Sequence, residues 1–218
     1  MRKLLLLTSL LLIPACAGTS VRDYSNLDAI EKRYVQAPED IDHARDYAHA
    51  LLFHKDPQTA MNVMNCIIKG DKATISDYTL AAKIQGALGN IDQQETYLKK
   101  ALALSPKSLP LREALIAFYT KNERALEAQK IYDQILFSAD TRNLSEHDYI
   151  RLVDDASTHL LSMKLYEDAF DLTQWAKRRY PDDLTLEKNF RIIRALMQSH
   201  GHAAPKPMPR PKHTAVSS

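Results

Sequence analysis

The chain has 218 residues, of which 45% are hydrophobic and 26% are charged, a composition typical of a protein that folds around a hydrophobic core. It contains only five glycines, which disfavours all-β folds with many tight turns. The formal net charge of +2 comes from 29 Lys and Arg against 27 Asp and Glu, and Arg2 and Lys3 supply the whole excess. The remainder of the chain, from position 16 onward, is neutral, which gives no basis for nucleic-acid binding, because phosphate neutralisation needs a clustered cationic face.

The segment 1–15 has the pattern of an export signal. Residues 1–3 form a short positive start, and residues 4–13 form an apolar run that is too short to span a bilayer. Cleavage after Ala17, in the small-x-small sequence Ala15-Cys16-Ala17, would release a soluble periplasmic protein. The alternative is cleavage before Cys16, which then becomes the new N-terminus.

The segment Ile13-Pro14-Ala15-Cys16 resembles the bacterial lipobox, in which a cysteine after a small residue is acylated, for example with palmitate. The apolar run ends directly at this segment, and we therefore expect lipidation at Cys16. Several acyl chains on one terminus give stable anchoring, because each buried methylene contributes about 0.8 kcal/mol. Ala17 follows the cysteine where Asp would signal retention, so the resemblance implies an outer-membrane lipoprotein that faces the periplasm.

Residues 16–40 are predicted to connect the lipidated cysteine to the folded body. Within them, residues 25–38 have the pattern of one helix, in which Leu27, Ile30 and Tyr34 would pack on the next element and Pro38 would stop the helix. A plain tether without a helix is the alternative.

An internal period of about 34 residues follows in the central part of the chain. Each period contains two segments with apolar residues at helical spacing. The predicted first helices are residues 41–54, 75–89, 109–122 and 150–163, and the predicted second helices are residues 56–68, 90–108, 124–136 and 165–183. Small and large apolar residues alternate along them, as the packing of close antiparallel helices requires.

The period, the repeated alanines, the turn at Gly89 and the closing Pro106 and Pro181 together resemble the tetratricopeptide repeat (TPR) over residues 41–183. The resemblance implies an all-α fold, a TPR solenoid of about four helix-turn-helix repeats. Gln94 departs from the pattern, because it stands where the repeat usually has alanine.

Two further segments complete the predicted solenoid domain, residues 41–200. Seven extra residues, 143–149, precede the fourth repeat, and Ser145 with Asp148 has the pattern of an N-cap pair for a lengthened helix. Residues 182–201 are predicted to form a capping helix that ends at Gly201. Its inner stripe is Leu186, Phe190, Ile193 and Met197, and its outer face is Glu187, Lys188, Arg191, Arg194 and Gln198.

The tail, residues 201–218, is rich in proline and basic residues and is predicted to be disordered, polyproline-like chain. It is either a basic terminus without a specific ligand or a docking arm for an acidic partner or the cell wall.

No catalytic, cofactor-binding or metal-binding motif is present in the sequence. His43, His49 and His54 are six and five positions apart, which does not stack two imidazoles one helical turn apart as a zinc pair needs. If Cys16 is acylated, Cys66 has no intramolecular partner, and we expect it to be a half-buried helical thiol; an intermolecular disulfide is the alternative. Trp175 is expected to pack in the core. We predict that the protein is not an enzyme and binds no cofactor or metal.

The TPR resemblance implies that partners bind in a concave groove lined by the first helix of each repeat. The groove candidates are Asp42, Arg45, His49, Phe53, Thr79, Lys83, Glu113, Lys121, Arg151, Asp154 and Thr158. Their mixed charge suits a polypeptide better than a purely anionic ligand.

The export signal, lipidated cysteine, short tether and TPR array together resemble the lipoproteins of pilus and secretion machines, in particular the tight-adherence (Flp) pilus lipoprotein and pilotin-type proteins. This resemblance implies an adaptor for protein partners of the cell envelope, such as pilus or secretin components. Two alternatives remain: a scaffold for envelope hydrolases or proteases, and a barrel-assembly accessory lipoprotein.

Overall fold

The computed structural model describes residues 23–70 and 72–201, without the side chains of residues 139 and 140. The predicted signal peptide, the lipidation of Cys16 and the basic tail after Gly201 lie outside these residues. Within them the chain is all-helical, without strands, and it divides into two compact units, residues 23–70 and residues 72–201. Every helix in the described part is too short or too polar to cross a membrane.

The described part of the first unit contains three helices, α1 (Leu27–Gln36), α2 (Ile41–Phe53) and α3 (Pro57–Ile68). The helix alternative for residues 25–38 is therefore the one observed. Ile30 of α1 is buried, the Tyr34 ring stacks on Tyr47 of α2 with centroids 5.0 Å apart, and Tyr47 donates a hydrogen bond of 2.9 Å to Glu31. These contacts fix α1 on α2.

Cys66 lies on α3 as a free, exposed thiol, so the expectation that it is half-buried is wrong. The inward stripe of α3 is occupied by Ala60, Met64 and Ile67, and the helical rotation places Cys66 beside this stripe rather than in it.

The described part of the second unit contains three helix pairs and one further helix. The helices are α4 (Ile75–Ala87), α5 (Ile91–Leu104), α6 (Leu109–Lys121), α7 (Ala125–Leu136), α8 (Glu146–Ser162), α9 (Tyr166–Arg179) and α10 (Leu184–Ser199). Small residues let the paired helices approach closely: Ala81, Ala101, Ala156 and Ala169 are all fully buried.

The turn inside each helix pair has the same backbone shape. Lys55, Gly89, Glu123 and Lys164 all have positive φ, at 64°, 77°, 58° and 61°. The first three are equally spaced along the chain, and the interval before Lys164 is longer by the seven extra residues. The left-handed turn is therefore part of the repeat, although only one of the four positions has the glycine that favours it.

The departure at Gln94 is explained by its neighbour on α4. A β-carbon on Gly86 would lie 2.8 Å from Gln94 Nε2, which is too close for two non-bonded atoms. The missing side chain of Gly86 thus provides the space that the longer side chain at position 94 occupies.

The extra residues before the fourth repeat lengthen α8 as predicted. Ser145 caps the helix by accepting a hydrogen bond of 3.1 Å from the Asp148 backbone N–H, and its hydroxyl donates to Asp148 Oδ2 at 2.6 Å. A short 3₁₀ helix, Ala139–Asn143, was not predicted. Within it the buried Thr141 hydroxyl lies within 2.9 Å of the carbonyl oxygens of Ile135, Leu136 and Ser138. The hydroxyl therefore offers a hydrogen-bond donor to the backbone carbonyl groups at the C-terminal end of α7.

The capping helix α10 buries Leu186, Ile193 and Met197, and Gly201 ends it with a φ of 77°. Its outer face is less polar than predicted, because Leu184 is 83% and Ile192 47% exposed.

A charged network connects α5, α6 and the start of α7. Glu95 has a side chain that is only 12% exposed, and it pairs with Arg124 and, at 2.7 Å, with Lys99. The Tyr119 hydroxyl donates to Glu95 at 2.8 Å, and Arg124 also pairs with Glu127 at 2.8 Å. Burial by itself would raise the pKa of Glu95, but the hydrogen bonds from its three partners outweigh it and lower the pKa to about 2.

Candidate binding groove

The predicted groove residues of the second unit lie on the first helices α4, α6 and α8. Lys83, Lys121 and Thr158 are exposed, and neither lysine takes part in an ion pair with the described residues. The Thr79 hydroxyl donates to the Ile75 carbonyl oxygen at 2.7 Å, so it is turned back onto its own helix. The two lysines therefore present positive charge on the first helices of this unit.

Glu113 and Arg151 are brought together. Arg151 Nη2 lies 2.6 Å from Glu113 Oε1, and this ion pair bridges α6 and α8. Arg151 also reaches Asp148 at 3.4 Å and Asp155 at 3.5 Å. One guanidinium group thus faces three carboxylates, and the surroundings of Arg151 are acidic on balance.

These charges shift the titration of the neighbouring carboxyl groups. The hydrogen bond from Ser145 and the nearby Arg151 hold the pKa of Asp148 below its usual value. Burial raises the pKa of Asp155, and Arg151 only partly opposes this effect.

An open cavity of about 520 Å³ lies between α8 and the start of α10. It is lined by Glu146, His147, Ile150, Arg151, Asp154, Asp183 and Thr185. We call this cavity the α8–α10 pocket. Asp154 accepts a hydrogen bond of 2.5 Å from Asn189 of α10, and Asp183 caps α10 by accepting one of 2.8 Å from the Leu186 N–H. The pocket therefore joins two predicted groove residues, Arg151 and Asp154, to the capping helix.

Sequence reasoning missed the other five residues of the pocket, although one signal for them exists. Thr185 lies one full repeat period after Arg151, so α10 stands in the position of the first helix of a further repeat. Extending the period past the fourth repeat would have placed the start of α10 beside α8.

Two of the four groove candidates of the first unit, Asp42 and Phe53, are exposed, and the other two, Arg45 and His49, are half-buried. Arg45 pairs with Asp42 at 3.0 Å on the same helix. The Tyr24 ring stacks on His49, with centroids 5.2 Å apart and planes 10° from parallel, and covers one face of the imidazole. Phe53 is 63% exposed.

The histidines in and directly after α2 contact nearby parts of the chain. His54 Nε2 lies 3.0 Å from the Tyr24 carbonyl oxygen, and His43 lies 3.8 Å from Asp40. Among the described residues no group of three or more His, Cys, Asp or Glu is placed to hold a metal ion. Trp175 packs against Phe137 and Tyr149 but is only half-buried, and Phe137 is 50% exposed, so Trp175 lies at the edge of the core rather than within it as expected.

The sequence matches no protein-family model and no curated protein. Solved structures show the fold. A tetratricopeptide repeat protein from Parabacteroides merdae is 12% identical with a TM-score of 0.54, over 80% of this chain and 67% of that one. MamA protein is 12% identical with a TM-score of 0.53, over 83% of this chain and 87% of that one. A structure of nearly identical TPR-like repeats from Podosopora anserina is 12% identical with a TM-score of 0.51, over 75% of this chain and 88% of that one.

The predicted fold class is confirmed: the chain has an all-α fold of the TPR solenoid type, and its described residues form four helix pairs and a capping helix after α1.

Proposed function

We propose that the protein is a non-catalytic adaptor that binds polypeptide partners along the groove of its second unit. The α8–α10 pocket is the main support for this proposal. It includes the predicted groove residues Arg151 and Asp154, it is open to solvent, and it is lined by side chains of both charges. A surface of mixed charge with an apolar element such as Ile150 is suited to an extended polypeptide.

The proposed place of action is the periplasmic side of the outer membrane, with Cys16 lipidated. The lipobox-like sequence supports this part of the proposal. A fully extended chain from Cys16 to Tyr24 spans at most about 28 Å, and Tyr24 is fixed on α2 by His49 and His54. An anchor at Cys16 would therefore keep the first unit close to the membrane surface.

Fractionation of cells tests the anchor. Cys16→Ala should release the protein from the outer membrane into the soluble periplasmic fraction. Cys66→Ala is the matched control, because it removes the other thiol and should stay in the membrane. A Cys16→Ala protein that still sediments with outer membranes after a salt wash contradicts the lipid anchor.

The proposed task is the assembly of a pilus or secretion complex, with a secretin or a pilus component as the partner. Deletion of the protein should then destabilise or mislocalise the secretin ring. The variant Lys83→Glu with Lys121→Glu should have the same effect, because it reverses the positive charges of the groove. Lys130→Glu, an exposed change on the second helix α7, is the control. Intact secretin rings together with altered cell-wall turnover would contradict the assembly role and favour a scaffold for envelope hydrolases.

A further inference from the structure

The α8–α10 pocket has a strongly acidic rim. Glu146, Asp154 and Asp183 line it directly, and Asp148 and Asp155 lie beside it on α8. Arg151 is the one permanent cation among the lining residues, and its charge is already engaged by Glu113, Asp148 and Asp155. The pocket therefore attracts positive charge.

The segment that leaves α10 is basic and proline-rich. Residues 202–218 contain Lys206, Arg210 and Lys212 and no Asp or Glu. Four prolines alternate with these cations, so the segment can lie extended in a groove at a small cost in conformational entropy. Charge and chain stiffness both fit an acidic, open cavity.

The length of this segment matches the distance to the pocket. The pocket lies at the N-terminal end of α10, and the 16 residues of the helix span about 24 Å. Residues 202–210, in extended polyproline geometry, span about 28 Å. The positive φ of Gly201 lets the chain leave the helix axis at the point where it must turn back.

We propose that the basic segment 202–218 of the same chain occupies the α8–α10 pocket when no partner is bound, with Arg210 at its acidic rim. This inference rests on the proposed function in one respect, that the groove binds extended polypeptide. It adds the chemistry of the occupant, which is a basic proline-containing segment.

Photo-cross-linking in the full-length chain tests the proposal. Benzoylphenylalanine replaces the exposed His147 of the pocket, and the cross-linked peptides are identified by mass spectrometry. We expect a cross-link to residues 203–213 within a single chain, reduced at least fivefold by the joint change Lys206→Ala, Arg210→Ala and Lys212→Ala. Thr214→Ala is the matched control, because it keeps every charge of the segment and should leave the cross-link unchanged.

A second measurement keeps the proposal testable if the residue at position 147 disturbs the pocket. A synthetic peptide of residues 202–218 should bind the triple-alanine chain more tightly than the wild-type chain, whose pocket is occupied. Glu146→Lys should weaken that binding, and raising the salt concentration should weaken it as well.

Three results would overturn the proposal: no cross-link to the segment, a cross-link only between two chains, or equal peptide binding by both proteins. A cross-linker at Lys83 separates this failure from that of the adaptor function. If Lys83 captures a partner while His147 never captures the segment, the groove binds polypeptide but the self-occupied pocket is wrong.

Discussion

Arg151 Nη2 and Glu113 Oε1 are 2.6 Å apart and connect α8 to α6 across the groove of the second unit. The two side chains are 39% and 33% exposed, so water and salt screen the pair. Exposed ion pairs of this kind typically contribute less than about 1 kcal/mol to stability. The pair therefore shapes the groove surface more than it holds the fold together.

Glu113→Gln is expected to lower the free energy of unfolding by less than about 1 kcal/mol, because Arg151 keeps Asp148 and Asp155 as partners. Urea denaturation at low and at high salt measures the change, and the small loss should shrink further at high salt. A loss above about 2 kcal/mol, beyond what an exposed ion pair contributes, would show that the bridge is structural.

Glu95 is expected to behave differently, because it is nearly buried and has three charged or hydroxyl partners. Glu95→Gln should lower the free energy of unfolding at pH 7 by about 2 kcal/mol. The folded-state pKa of Glu95 is about 2, below its usual value, so its stabilising contribution is present above about pH 4.5 and is lost as the pH falls through the folded-state pKa.

The difference in stability between wild type and Glu95→Gln should therefore narrow between about pH 5 and pH 2. Urea denaturation across this range measures it. Glu123→Gln, an exposed change in the turn before α7, should show no such dependence. A constant difference from pH 7 to pH 2 would contradict the role given to the Glu95 charge.

Gly86 and Gln94 are expected to be energetically coupled. Gly86→Ala should stabilise α4 by about 0.5–1 kcal/mol through higher helix propensity, but only when Gln94 does not crowd the new β-carbon. A double-mutant cycle with Gln94→Ala measures the coupling. Gly86→Ala should be more favourable in the Gln94→Ala background than in wild type, and additive effects would show that the two side chains do not compete for space.

The left-handed turns make a further prediction. Gly89→Ala should cost about 1 kcal/mol, and the cost should come from the backbone alone, because no atom lies within 4 Å of the added β-carbon. Lys164→Gly should raise stability by about 0.5 kcal/mol through relief of the same strain. Lys164→Ala is the control, because it removes the charge and keeps the β-carbon. Equal stability of the alanine and glycine variants would contradict this account.

The helices could be predicted because their apolar stripes repeat at a fixed period. Most observed boundaries lie close to the predicted ones, and Ser145 with Asp148 indicated the lengthened start of α8. These features depend on residues near one another in the sequence, where spacing and capping chemistry determine the structure.

Contacts between distant side chains could not be predicted in this way. The pairing of Glu113 with Arg151 and the covering of His49 by Tyr24 join residues that are far apart in the sequence. The period places such residues on the correct face of a helix but does not say which of them meet. The α8–α10 pocket was missed for a related reason. The polar face of α10 indicated that the repeat array ends there, so α10 was not considered as the first helix of a further repeat that would lie beside α8.

In-cell photo-cross-linking from Lys83, with mass spectrometry of the captured protein, tests the central claim most directly. Lys83 is exposed on α4 in the register of the groove, and a cross-linker at the exposed Lys130 on α7 serves as the control. The account predicts that position 83 captures a secretin or pilus component, that position 130 does not, and that Cys16→Ala abolishes the capture. If both positions capture the same proteins equally, or if position 83 captures no protein, the claim that this groove is the partner-binding surface is contradicted.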